Sequence, residues 1–236
     1  MNLATRFVRP ALVLLLFAAA IFLHPSLCLA QRNRDASIGL ILKDAGAVPR
    51  CSDLRPIACS DPTAKVTGGL QDYYAILCVF NGDSELGIAG MEFGIDYDSG
   101  SQSGVDVTSW NLCADLEWMD DTWPDAGSGG LITWVNEENC QKTVPGNVED
   151  GVSAIAGFFT VTAYDTDRLR IVPHDTQQQG KNLKVADCAN TESSLDPTQQ
   201  ASWVGFSSDL SEKGSIPCVH HVGKTTWGVI KSTYGH

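Results

Sequence analysis

The stretch "LEWMDDTWPD" sets carboxylates beside two indoles, and that combination can bind sugars. Trp118 and Trp123 offer flat apolar faces, and Glu117, Asp120 and Asp121 can accept hydrogen bonds from hydroxyls. The competing expectation is that the tryptophans plug the rim of a folded domain, since tryptophan is mostly buried on average. A second acidic group lies in "IAGMEFGIDYDSGSQSGVD". Asp96, Asp98 and Asp106 carry the hard oxygen ligands that calcium takes. Along an extended chain Asp96 and Asp98 stand ~6.6 Å apart, so a cation there needs a loop to complete its shell. The alternative for these acids is the wet face of a strand. Asp165 and Asp167 in "YDTDRLR" fit a tight hairpin turn better than a metal loop. The histidines are His174, the His220–His221 pair and His236, and the pair reads as structural or solvent-facing, because sequence neighbours in a strand point to opposite sides and make a poor joint ligand.

Catalytic chemistry finds less support. The chain has no G-x-S-x-G elbow and no nucleotide- or cofactor-binding motif. Glu92 and Glu117 could form a glycoside-cleaving pair only if a cleft held them at a fixed separation. The expectation is therefore a protein that is not an enzyme and has no cofactor, with calcium the one cation its acids could take.

These side chains must be positioned by strands. In "IAGMEFGIDYD", Met91, Phe93, Ile95 and Tyr97 alternate with Glu92, Gly94, Asp96 and Asp98, the pattern of a half-buried strand. "SIGLILKD" places Ile38, Leu40 and Leu42 on one side. "DYYAILCVFN" is apolar on both faces and belongs in the middle of a sheet. "GVDVTSWNLC" changes phase between Val107 and Trp110, which signals a bulge. "GLITWVN" and "SAIAGFFTVTAY" are further strands, and "RLRIVPH" is expected to be the hairpin partner of the latter. Seven strands with short turns and no convincing helix before the last residues predict an all-β antiparallel β-sandwich. After His174 strand signals thin out, and "TTWGVIKSTY" shows helical spacing at Trp227, Ile230 and Tyr234. The domain reading is a signal peptide over 1–30, a β-sandwich over 31–175, and a loop-rich extension over 176–236 ending in a short helix.

The N-terminus carries Arg6 and Arg9, then the apolar run Ala11–Leu23, then "LCLA". That is a secretory signal with cleavage expected after Ala30. The run is too short to span a bilayer, and no later stretch is long and apolar enough to do so. The whole chain has a net charge of -12, which argues against nucleic acid as a partner. Export makes disulfides the default state of the cysteines. Cys28 leaves with the signal. Sequence locality suggests Cys51–Cys59, Cys113–Cys140 and Cys188–Cys218, with Cys78 a buried spare.

The succession "IAGMEFGIDYD", "VDVTSW", "GLITWVN", "SAIAGFFTVTAY" and "RLRIVP" resembles the cohesin-like β-sandwich over residues 37–174. That resemblance implies a non-catalytic module that docks partner proteins in secreted bacterial assemblies. Related sandwiches bind carbohydrate or serve as spacers and adhesins. The chain departs from the pattern in its many cysteines and in its tail beyond His174, so no binding residues carry over. The whole chain also resembles exported bacterial proteins. The leading expectation is a secreted binding, scaffold or adhesion module acting through a sheet face, its partner a protein outside the cytoplasm. Binding of a polysaccharide through Trp118 and Trp123 is the alternative, and a β-sandwich hydrolase the third reading.

Overall fold

The computed structural model describes residues 32–54, 71–98, 100, 102–135, 137–143, 151–176, 180–207 and 214–215. The chain divides into Met1–Ala30, which lies outside the described residues, and Gln31–His236, which is one compact unit. The unit is all-β and antiparallel. One sheet has the order β1-β2-β7-β4, built from β1 (Ser37–Asp44), β2 (Gln71–Gly82), β7 (Val152–Ala163) and β4 (Val105–Leu112). The second runs β12-β11-β3-β6-β5, from β12 (Glu192–Ser194), β11 (Lys184–Ala186), β3 (Gly90–Asp96), β6 (Gly129–Thr133) and β5 (Leu116–Met119). β8 (Asp167–Val172) joins it beside β3, and β13 (Trp203–Phe206) pairs with β8. β9 (His174–Thr176) and β10 (Gly180–Asn182) form a separate two-stranded pair.

The apolar alternation explains this arrangement. Ile38, Leu40, Tyr73, Ala75, Leu77, Phe159 and Val161 from the first sheet meet Met91, Phe93, Ile95, Leu169 and Ile171 from the second, and all are buried. Burying a large apolar side chain contributes about 1.5–3 kcal/mol, so these inner faces supply the main driving force. β2 is apolar on both faces because it is central and has a second buried layer behind it, where Tyr74, Ile76, Cys78 and Phe80 pack with Ile41, Leu54 and Phe158. The phase change in β4 is a register shift between Val107 and Ser109 against β7. It turns Trp110 inward over Gly157, where an added Cβ would strike the indole ring and the Asn111 carbonyl.

Three expectations are corrected. β8 is not the hairpin partner of β7. Both edges of β7 are taken, by β2 and β4, so the chain crosses to the other sheet and pairs with β3 through Gly94↔Val172 and Ile95↔Ile171. Asp167 fixes this corner, its Oδ2 accepting the backbone N–H groups of Asp98 (3.0 Å) and Val105 (3.2 Å). The chain after residue 175 is not a loop-rich appendage where it is described. β11 and β13 are integral to the second sheet, and Leu183, Val185, Leu195, Val204 and Phe206 belong to the core. The helix expected near Trp227 lies outside the described residues.

The cystine pairing is the third correction. Cys51 pairs with Cys113 (Cα–Cα 5.4 Å) and Cys140 with Cys188 (Cα–Cα 5.9 Å), in place of Cys51–Cys59, Cys113–Cys140 and Cys188–Cys218. Cys59 and Cys218 lie outside the described residues. Sequence locality misleads because loop closure costs only about 0.6 kcal/mol more for each doubling of length, while the sheet decides which ends meet. Cys51 follows β1 and arrives at the end of β4. Cys140 and Cys188 meet where the Ile88–Gln141 bridge brings two loops together. Cys78 is free and buried, as expected, and its burial pushes the thiol up to about 12. Peptide mapping after alkylation without reduction should find Cys51 linked to Cys113 and Cys140 to Cys188. Cys78 should be labelled only once denaturant is added.

Candidate functional site

The outer face of the second sheet collects side chains that the sequence keeps far apart. Residues directly opposite each other on neighbouring strands share a face. One row therefore reads Trp118, Leu131, Glu92, Lys184 and Ser194, across β5, β6, β3, β11 and β12. The next row is Leu116, Thr133, Gly90, Ala186 and Glu192. Small residues in this second row leave an open groove of about 470 Å³, lined by Gly90, Thr133 and Ala186 with Leu131, Val135 and Glu192. Beside it stand exposed apolar side chains: Trp118 (56%), Leu116 (49%), Val135 (39%) and Leu131 (38%). A contiguous exposed apolar stripe is the feature that marks interaction surfaces.

A polar network borders the stripe. Glu92 Oε1 accepts a hydrogen bond from Asn182 Nδ2 (3.2 Å) and faces His174 Nδ1 at 3.4 Å. Glu92 Oε2 lies 3.6 Å from Lys184 Nζ, which also bonds Glu192 at 3.1 Å. Desolvation pulls the Lys184 ammonium down, but its bond to Glu192 and the charges of Glu192 and Glu92 outweigh that and hold it above the usual lysine range. The other imidazole nitrogen of His174, Nε2, lies 3.3 Å from Asp120 Oδ1. Asp120 is itself anchored, its Oδ2 accepting the Gly129 N–H at 2.8 Å.

The residues singled out in "LEWMDDTWPD" do not act together. The stretch is not all loop, since Leu116–Met119 is strand β5, and alternation sends its side chains to opposite faces. Trp118 is outward. Glu117, opposite buried Ile132, is on the inner side and accepts the Trp110 indole N–H at 2.7 Å. Trp123 packs edge-on against Phe93 (5.6 Å) and Trp110 (5.5 Å) and close to Phe159 (5.4 Å), so no ligand stacks on it together with Trp118. Asp120 serves His174, and Asp121 is exposed in the turn that follows. Glu92 and Glu117 lie on opposite faces of one sheet and cannot flank one cleft.

The candidate calcium ligands separate in the same way. Asp96 is paired with Arg170 of β8. Asp98 Oδ1 accepts the Gly100 N–H at 3.2 Å, and Asp106 lies by the Tyr164 hydroxyl. Among the described residues no three His, Cys, Asp or Glu side chains gather as a cation site. Asp165 Oδ1 accepts the Thr166 N–H at 2.7 Å in a bend between the two sheets, so the stretch is a crossover and not the hairpin turn expected for Asp165 and Asp167. The sequence analysis missed the part played by His174. Its two carboxylates are distant in sequence, Glu92 on β3 and Asp120 just after β5, and no spacing signals them.

No family model and no curated protein matches the chain. Among solved structures, it is similar to a cohesin module from a family 33 glycoside hydrolase of Clostridium perfringens, with 9% identity and a TM-score of 0.38. The similarity covers 72% of this chain and 98% of that one.

Tyr97 pins the 120–127 turn by donating its hydroxyl to the Pro124 carbonyl at 3.1 Å. Burial, then the charges of Asp125 and Asp106, push its hydroxyl up to about 12, against a smaller lowering from the hydrogen bond at Ala126. The folded chain thus keeps this proton where an unfolded tyrosine, at about 10, has lost it. Tyr97 contributes stability that is whole below pH ~10 and lost as the pH rises toward 12. A difference titration of tyrosinate absorbance, wild type minus Tyr97→Phe, should show one group ionising near 12. Urea melts over the same range should fall less steeply for the variant.

Proposed function

We propose that this chain is an exported, non-catalytic binding module that holds a protein partner on the outer face of its second sheet. The carrying observation is the exposed stripe of Leu116, Trp118, Leu131 and Val135 alongside an open groove. Leaving an indole more than half in water forgoes burial free energy that a partner could recover. Interface hot spots are enriched in tryptophan and each contributes about 2 kcal/mol or more. Two disulfides among the described residues support an oxidising compartment. No described helix is long and apolar enough to cross a membrane. A protein partner is favoured over a polysaccharide because, of the pair Trp118 and Trp123, Trp118 alone faces outward.

The test uses the full chain as bait in the exported fraction of its source cells, followed by calorimetry on the recovered partner. Trp118→Ala and Leu131→Lys should each weaken that binding by about 30-fold, equivalent to 2 kcal/mol. Their melting temperatures should stay near that of the wild type. Val48→Ala, exposed but outside the stripe, should bind as the wild type does. Full affinity in the double variant would remove this face from consideration. Retention on soluble polysaccharide that is lost with Trp118→Ala, and no protein partner, would move the reading to carbohydrate.

A further inference from the structure

The groove beside the exposed stripe is open because small residues stand where its neighbours carry large ones. Gly90, Thr133 and Ala186 line it in one row across β6, β3 and β11. Val135 and Glu137 line it from the chain that follows β6, and Asn190 and Glu192 from the turn that leads into β12. Each wall is held from within. Asp115 accepts the Val135 N–H at 2.7 Å and the Asn139 side-chain amide N–H at 2.9 Å. Asp187, buried, accepts the N–H groups of Ala189 at 2.8 Å and Thr191 at 2.9 Å, which sets the turn carrying Asn190. The Cys140–Cys188 cystine and the Ile88–Gln141 bridge then tie one wall to the other. The groove is thus formed before any occupant arrives, and a pre-formed site lowers the ordering cost of binding.

The charge around it has one sign. Glu137 and Glu192 line the groove, and Asp115 and Glu138 stand exposed beside Val135. No described lysine or arginine lines it to answer these acids. Lys184 is shared between Glu192 and Glu92, one ammonium for two carboxylates. Arg170 of β8 is held by Asp96, and Arg168 lies over the Trp203 ring.

We infer that the groove takes a basic segment of the protein partner, with an aliphatic side chain seated over Gly90 and Ala186 and a flanking arginine or lysine against Glu137 and Glu192. This rests on the docking reading of the same face and names the chemistry of what docks there. The apolar floor asks for a side chain that the chain itself does not supply, and the rim asks for the opposite charge. An arginine answers best, because its planar fork matches a carboxylate. A second copy of this chain fits poorly, since two such rims would bring carboxylate to carboxylate, and like charges across an interface suppress the pairing. Exposed ion pairs add little affinity each, so their work is to select the partner and to speed its approach, and both effects weaken in salt.

Peptide probes on the full chain test this. In each labelled peptide a central pair drawn from Leu, Ile, Val and Phe is flanked on both sides by two arginines, two glutamines or two glutamates. By fluorescence anisotropy, arginine-flanked peptides should bind about tenfold more tightly than glutamine-flanked ones, and glutamate-flanked ones more weakly still. In 1 M salt, where the screening length is about 3 Å, the arginine preference should shrink to about twofold or less. The Glu137→Gln, Glu192→Gln double variant should bind arginine- and glutamine-flanked peptides alike. Ala186→Leu, which fills the groove, should lose all of them. Equal binding of the three classes, binding that survives Ala186→Leu, or no binding at all overturns the inference. Self-association of the chain that Ala186→Leu abolishes would make a second copy the occupant and overturns it as well. None of these failures touches the Trp118→Ala comparison, which tests the face itself. Conversely, arginine-selective binding lost in Ala186→Leu, with a partner indifferent to Trp118→Ala and Leu131→Lys, would sink the wider face and keep the groove.

Discussion

Met91, Phe93 and Ile95 fix the position of everything on the outer face. All three are buried in the core, and β3 is paired along both edges. A strand's side-chain period is two, so a slip of one residue would push Glu92 inward and Met91 into water. Desolvating an unpaired carboxylate costs several kcal/mol, and each exposed apolar residue forfeits about 1.5–3 kcal/mol more. With that register held, Gly90, Glu92, Gly94 and Asp96 point outward in order. They supply in turn the groove lining, the hub of the polar network, the room for an imidazole and the partner of Arg170. One alternation places four different local chemistries.

The parts of the fold legible in the sequence are those where burial writes a strong pattern. β1, β2, β3 and β7 are long, and their inward residues are large and apolar, so period and length agree. The bulge in β4 was legible because its phase changes within a single strand. The strands after His174 were not. "KVA" and "ESS" are three residues long, and each buries a single side chain, Val185 or Ser193. No window that short carries a period; β11 forms on the edge that β3 offers, and β12 on the edge that β11 then offers. The partner of β8 was hidden for a related reason. A hairpin is the nearest solution for adjacent strands, but whether β7 has a free edge depends on β2 and β4, far off in the chain. Cystine pairing inherits this non-local dependence, since the sheet brings Cys51 to Cys113.

The site was legible residue by residue and not as a site. Of the two candidate tryptophans, Trp118 is exposed, whereas Trp123, only five residues on, is packed against aromatic rings. Nothing local separates them. Trp118 lies on the outer side of a two-faced strand, whereas Trp123 follows a turn that carries it back over Phe93 and Phe159. Acidity misled in the same manner. Asp96, Asp98 and Asp106 look like a ligand set in one dimension. In three dimensions they serve an arginine, a turn amide and a tyrosine hydroxyl. His174 drew little attention because its significance rests on Glu92, Asp120 and two glycines, none of them near it in sequence.

β5 joins these points, because it is both an edge and a face. Among the described residues it pairs only with β6, which leaves a row of backbone groups on its other side. Such an edge invites another strand, and proteins counter this with short edges and charges turned inward. β5 has both devices. It is four residues long, and Glu117 points inward at the mouth of the sandwich, tied to the Trp110 indole across the gap between the sheets. A strand added there would have to pack beside that carboxylate and strip its water. The outward residues of the same strand, Leu116 and Trp118, suffer no such penalty when covered. On the docking reading, β5 therefore discourages recognition through its backbone and favours recognition through side chains. That is a chemistry in which a single indole can set specificity without opening the sheet to aggregation.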